Sequence, residues 1–248
     1  MQNYMIVVSY DGTSYHGYQF QKNALTVQDV LEKNIKKLYS KMIRVEVAGR
    51  TDTGVHARGQ VVNFLAPDLI PVERLSFALN RILPRDIVVM EARIVSNTFH
   101  ARRDATAKVY SYTIDNGQLP DVFNRHYAYH VSNPLDVEAM KTGASFLLGE
   151  HDFKAFQAAG STVQTTNRTL FSLKIEKQEP FIILSFEGSG FLYKMVRIIT
   201  GTLIEVGRGK RRPEEIKEIL EGKDRKGAGK TAPSKGVCLE KVVYRSLA

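Results

Sequence analysis

The stretch IRVEVAGRTDTGVHARGQVVNFL, residues 43–65, sets two apolar-rich runs on either side of one polar loop. Ile43, Val45 and Val47 alternate with Arg44 and Glu46, the period-two pattern of a half-buried strand. Gln60 to Leu65 reads as a second strand. Between them the loop collects Gly49, Arg50, Thr51, Asp52, Thr53, Gly54 and His56. Asp and Gly make turns, so a plain connection between two strands accounts for part of this composition. The rest is richer in chemistry than a turn needs. Arg50 suits a phosphate or a carboxylate, His56 can donate to phosphate or base, and the glycines allow a ligand close to the backbone. On residue types alone, a functional loop and a turn stand level.

Working outward, the same grammar repeats. Tyr4–Tyr10 is a compact strand-like run, broken by Asp11-Gly12-Thr13-Ser14. Thr26 is placed to cap a helix, with Asp29 three residues on and Val27, Val30, Leu31, Ile35 and Leu38 at helical spacing. A helix from Pro71 through Leu79 and a strand over Ile87–Ala92 follow. In the second half, Lys108–Ile114 reads as a strand with Arg125–Val131 able to pair with it. Asp136 caps a helix running to Leu148 and ended by Gly149. Leu170–Glu176 and Phe181–Glu187 form a hairpin, Phe191–Val206 an apolar helix, Pro213–Leu220 a short charged helix and Val237–Tyr244 a closing strand. Hairpins rather than strict βα alternation predict an α+β fold with a largely antiparallel central sheet and helices on one side. Each half fits a strand-helix-strand-strand-helix-strand unit, so the expectation is two similar ferredoxin-like or RRM-like halves flanking a basic cleft, residues 1–105 and 106–248.

Composition narrows the class. Apolar residues make up 43% of 248, enough for a real core and against a disordered chain. No apolar run approaches the ~20 residues that span a bilayer. Cys238 is the single cysteine, so no intrachain disulfide can form and a cytoplasmic setting is expected. A formal net charge of +9 favours a polyanionic partner.

Several motifs lead nowhere. Gly229-Lys230-Thr231 resembles the end of a phosphate-binding loop, but Asp224 stands where that loop needs its first glycine. His126 and His130 share a strand-like context without a third metal ligand nearby. Asp52-Thr53-Gly54 is the triplet of aspartic proteases, which need two carboxylates sharing a proton. This chain has one triplet, preceded by Gly49-Arg50-Thr51 rather than apolar residues.

The motif G-R-T-D-x-G-V-H-A, followed by Gln60-Val61-Val62-Asn63-Phe64, resembles the core motif of the TruA family of tRNA pseudouridine synthases. Further matches run in order along nearly the whole chain. They include Tyr10-Asp11-Gly12, Tyr15-His16-Gly17-Tyr18-Gln19, Leu83-Pro84, Phe99-His100-Ala101-Arg102, Lys108-Val109-Tyr110-Ser111-Tyr112, His151-Asp152-Phe153, Met195-Val196-Arg197, Gly201 and Gly236-Val237. Tyr18 departs from the pattern, which usually has Trp there.

The resemblance implies isomerisation of uridine to pseudouridine at positions 38, 39 and 40 of the tRNA anticodon stem-loop, by a homodimer, with no cofactor or metal. In that chemistry the C1′–N1 bond breaks, the uracil turns, and C1′ rejoins at C5. A carboxylate suits an electron-poor anomeric carbon, as in retaining glycosidases. Asp52 is the expected catalyst, by attack at C1′, by proton removal from C2′, or by addition at C6. It must be charged at neutral pH, and the resemblance points to Arg197 as its cationic partner. It also makes Tyr110 the ring on which the flipped uracil stacks, since a base in a stem is out of reach until it flips. Arg50, His56, Arg102 and Arg103 are candidate RNA contacts. The Lys210-Arg211-Arg212 and Lys223–Lys230 clusters read as mobile basic loops that track phosphates by charge. The rival reading is an RNA-binding module without turnover.

Overall fold

The computed structural model describes residues 1–160 and 163–245. In chain order its elements are β1 (Gln2–Tyr10), α1 (Val27–Tyr39), β2 (Glu46–Val47), β3 (His56–Ala66), α2 (Val72–Asn80), β4 (Ile87–Val95), β5 (Ala105–Asp115) and β6 (Tyr129–His130). Then come α3 (Val137–Ser145), β7 (Gly149–Asp152), β8 (Asn167–Gln178), β9 (Phe181–Gly188), α4 (Met195–Gly207), α5 (Glu215–Gly222) and β10 (Val237–Tyr244). This is an α+β fold whose long strands pair mainly antiparallel, as the sequence predicts. No helix among the described residues is long and apolar enough to cross a membrane.

The chain divides into two compact units. One holds Met1–Thr106 and the segment from Cys238 onward; the other holds Ala107–Val237. In the first unit β1 lies between β3 and β4, antiparallel to both. The far edge of β3 is shared. Its middle takes β2 through Glu46↔Asn63 and Val47↔Val62, and its start takes β10, parallel, through Cys238↔His56 and Leu239↔Ala57. Apolar alternation on β1 and β3 buries Tyr4, Ile6, Val8, Val62 and Phe64 against α1, whose inner face carries Val27, Leu31 and Ile35. The Thr26 cap is real, its side chain accepting from the Asp29 N–H.

In the second unit β9 lies between β5 and β8, and β7 extends the sheet beyond β8. Asp136 caps α3 by accepting from the Ala139 N–H. Four expectations are corrected in detail. Residues 43–45 are not a strand, because Glu32 Oε1 accepts from the Val45 N–H at 3.2 Å and takes it from any ladder. The Arg125–Val131 run pairs only at β6, and parallel. Helix α3 ends at Ser145, and Phe146–Leu148 continue as tight turns to Gly149, at φ +97°. Helix α4 starts at Met195, because Lys194 before it is left-handed, at φ +59°.

Candidate active site

Asp52 sits where the chain turns into β3, and residues of the first unit brace its loop. The Ala48 N–H donates to Val61 O, and Gln60 Nε2 donates to Gly49 O at 2.7 Å. The Tyr18 N–H donates to Thr51 O, the Tyr10 hydroxyl meets Thr51 Oγ1 at 2.7 Å, and the Gly54 N–H donates to Tyr15 O. Within the loop, the Val55 N–H donates to Asp52 O. The segment after β1 therefore wraps the loop, and glycines make the wrap possible. At Gly17, φ +86°, a Cβ would stand 2.7 Å from Thr51 O, and at Gly12 it would fall on the Val55 carbonyl. Thr51 and Val55 are buried, Arg50 and Thr53 exposed, and Asp52 lies between these extremes. A carboxylate is thus presented from a loop whose flanks are fixed, the arrangement a reactive group needs.

His56 opens β3 and is 6% exposed. The Gly12 N–H donates to its Nδ1 at 3.1 Å. Asp11 Oδ1 lies at the same distance from that nitrogen, a contact that becomes an ion pair only with a proton on Nδ1. The ring thus ties the Asp52 loop to the turn after β1. Arg102 and Arg103 are exposed on a turn before β5. That turn is pinned by the Ala101 N–H to Asn63 Oδ1 and by Tyr244 Oη, which donates to Ala101 O.

In the second unit, Tyr110 lies on β5 opposite Phe186 of β9, and its ring meets Phe191 edge-on at 5.1 Å between centroids. Arg197 stands in the first turn of α4. Its Nε donates to Ala232 O at 2.8 Å, and the Ala232 N–H returns to Arg197 O. Burial raises the Tyr112 hydroxyl well above the usual tyrosine range, and the positive charge of Arg197 pulls it part of the way back. Arg50, Asp52, His56, Arg102 and Arg103 belong to the first unit, Tyr110 and Arg197 to the second. Sequence reasoning gave no role to Tyr10, Thr51 and Gln60, although all three belong to the recognised motifs. Their contact joins residues 41 and 50 positions apart, which no local spacing reveals.

The basic segments are built differently from the expectation of mobile loops. Arg211 pairs with Glu205 and Glu215, Arg212 with Glu215 and Glu218, and Lys223 with Asp152. Burial pushes the Glu205 carboxyl up, but Arg211 and the Lys230 N–H outweigh it and hold it below the usual range. The Gly229 N–H donates to Thr202 Oγ1. The Gly229-Lys230 pair therefore seals the segment against α4.

Comparison with known proteins shows the family. The tRNA pseudouridine synthase family model matches residues 6–104 and 144–245. A tRNA pseudouridine synthase A from Thermoanaerobacter sp. (strain X514) is 52% identical over 244 residues, covering 98% of this chain and 100% of that one. Proteins of the same name from Acetivibrio thermocellus and Bacillus subtilis (strain 168) are 50% and 48% identical, covering 98% and 96% of this chain and 100% and 97% of theirs. The class is thus an RNA-modifying isomerase, a pseudouridine synthase. The chain belongs to the TruA family of tRNA pseudouridine synthases.

Proposed function

We propose that this enzyme converts uridines 38, 39 and 40 of the tRNA anticodon stem-loop to pseudouridine, with Asp52 as the catalytic residue. The observation that carries the reading is the Asp52 loop: a half-buried carboxylate on a braced turn, in a chain of this family. Asp52 acts on the ribose or base of a flipped nucleotide, the C1′–N1 bond breaks, and C1′ bonds to C5. The C5 proton leaves and N1 gains one, so the reaction is an isomerisation that consumes no oxidant or co-substrate. Resemblance to the family gives Tyr110 the role of stacking on the flipped uracil and Arg197 that of cationic partner to the catalyst. Arg50, Arg102 and Arg103, all exposed, serve as phosphate contacts. His56, largely buried, contributes first by holding the loop. Action at neighbouring positions requires recognition of shape rather than sequence. The enzyme works as a homodimer in the cytoplasm, and sedimentation at micromolar concentration tests the dimer directly.

The deciding experiment measures tritium release from [5-³H]uridine-labelled tRNA. Wild type releases label because the new C5 bond expels it. Asp52→Ala binds tRNA but releases none above background. Full release by Asp52→Ala would remove Asp52 from the chemistry.

A further inference from the structure

The loop that carries Asp52 is gripped on both sides of Arg50. On one side Gln60 Nε2 donates to the Gly49 carbonyl at 2.7 Å; on the other the Tyr10 hydroxyl meets Thr51 Oγ1 at 2.7 Å. The grips are joined, since Gln60 Nε2 also reaches Tyr10 Oη at 3.5 Å. Gln60 is fully buried, Tyr10 is 4% exposed and Thr51 7%, so water does not compete for the two bonds at the Tyr10 hydroxyl. Tyr10 is the last residue of β1 and Gln60 lies in β3, two strands paired along their length. Both anchors therefore stand on the sheet, not on another loop.

Polarity follows from the groups present. Gln60 Nε2 can only donate, so Tyr10 Oη accepts from it, while either hydroxyl can be the donor in the Tyr10–Thr51 bond. Burial pushes the Tyr10 hydroxyl up to about 12, with Thr51 and Gln60 pulling it partly back. It stays protonated across any working pH, so the pair of hydroxyls remains bonded whichever of them donates. Thr51 is joined to Asp52 by a single peptide bond, and the Val55 N–H fixes the carbonyl of Asp52 itself. Freeing the Thr51 side chain leaves only the Tyr18 N–H, on the Thr51 carbonyl, to hold that flank of Asp52. A reactive group displaced by ~1 Å can lose ~100-fold in rate.

We infer that Tyr10 is a positioning residue for the isomerisation: its hydroxyl, braced by Gln60, clamps Thr51 and so fixes where the Asp52 carboxylate meets the nucleotide. This rests on Asp52 being the catalyst, and the test separates the two claims. Single-turnover tritium release, with enzyme in excess, is compared for wild type, Tyr10→Phe, Thr51→Val, the double variant and Asp52→Ala. Filter binding of tRNA and thermal unfolding are recorded for each, and rates are taken well below the lowest melting temperature.

Tyr10→Phe is expected to slow the step roughly 10- to 100-fold, with tRNA affinity within about twofold of wild type, because a clamp acts on the reacting geometry and not on docking. Thr51→Val is expected to slow it similarly, and the double variant to be no slower than the slower single, since both remove one bond. Thr51→Val carries the test alone should Tyr10→Phe not fold. A wild-type rate for Tyr10→Phe or Thr51→Val beside an inactive Asp52→Ala overturns the positioning role and leaves the catalyst standing. Multiplying losses in the double variant overturn it too, because the hydroxyls would then act separately. An active Asp52→Ala removes the catalyst, and the positioning role with it.

Discussion

At the scale of the residue, Tyr18 is the most informative departure from the family pattern. It is fully buried, beside Tyr10 at 6.5 Å between ring centroids, and its hydroxyl has no hydrogen-bond partner among the described residues. Burial holds its acidity far from the usual range, so the group is neutral and costs desolvation without return. Tyr18→Phe should therefore raise stability by about 1 kcal/mol, read as a higher urea midpoint at unchanged slope. A lower midpoint would mean the hydroxyl has an internal partner, such as a trapped water. The backbone N–H of Tyr18 still holds Thr51 in that variant, so the Asp52 loop keeps this contact. The chemistry-bearing residues of this loop were legible in the sequence because a carboxylate, a guanidinium and an imidazole between two glycines are conspicuous. The hydroxyl and amide that brace them were not. Tyr10 and Gln60 look like ordinary strand residues until the sheet is assembled.

At the scale of the element, burial was more legible than pairing. Ile43 and Val45 are buried as their alternation predicts, at 6% exposure each, yet they form no ladder because Glu32 takes the Val45 N–H. Alternation reports which face is apolar; it is blind to a side chain from another element that captures a backbone donor. The apolar run into α4 shows the same limit, for Phe191 is half-buried and Leu192 buried without either being helical. Two predictions belong here. Gly201 sits inside α4, where a Cβ would fall on the Lys230 carbonyl oxygen. Gly201→Ala should cost roughly 3 kcal/mol, the upper end for overpacking, measured by chemical unfolding; a change within ~0.5 kcal/mol, the usual scale for an unconstrained site, would disprove this close approach. Asp152 caps a short turn through the Lys154 N–H, accepts from Thr166 Oγ1 and pairs with Lys223. These partners, Thr166 foremost, hold its carboxyl below the usual range against the opposing pull of burial. Its contribution is therefore full above the unfolded value near 4 and lost as pH falls through the depressed one. Asp152→Asn should flatten that acid limb of the stability curve, and an unaltered limb would show that Asp152 does not shape it.

At the scale of the whole molecule, buried hydroxyls and one thiol set the alkaline limit. Burial, chiefly, pushes Tyr10 and the Cys238 thiol up to about 12, and it raises Tyr15, Tyr39, Tyr112 and Tyr244 as well. Below pH ~7.5 these groups are protonated in folded and unfolded chains alike, the unfolded thiol titrating at ~8.5 and the hydroxyls at ~10, so their contribution is complete. As pH rises past the unfolded values, the unfolded chain releases protons that the folded chain retains, and stability falls. The melting temperature should drop steadily between pH 9 and 11; a flat profile there would contradict the sign. Over the same range Cys238 should resist alkylation in the native protein and react only on unfolding.

The parallel pairing of β10 with the start of β3 also has a bearing on how the enzyme is made. A nascent chain halted before Val237 already contains the complete Asp52 loop, but His56 and Ala57 lack the strand that closes their open edge. Translation must pass Leu239 before that edge is covered, so a product truncated before it leaves the start of β3 unpaired beside the Asp52 loop. Such an edge invites pairing with other strands, so a chain cut short before β10 should aggregate more readily than the full chain.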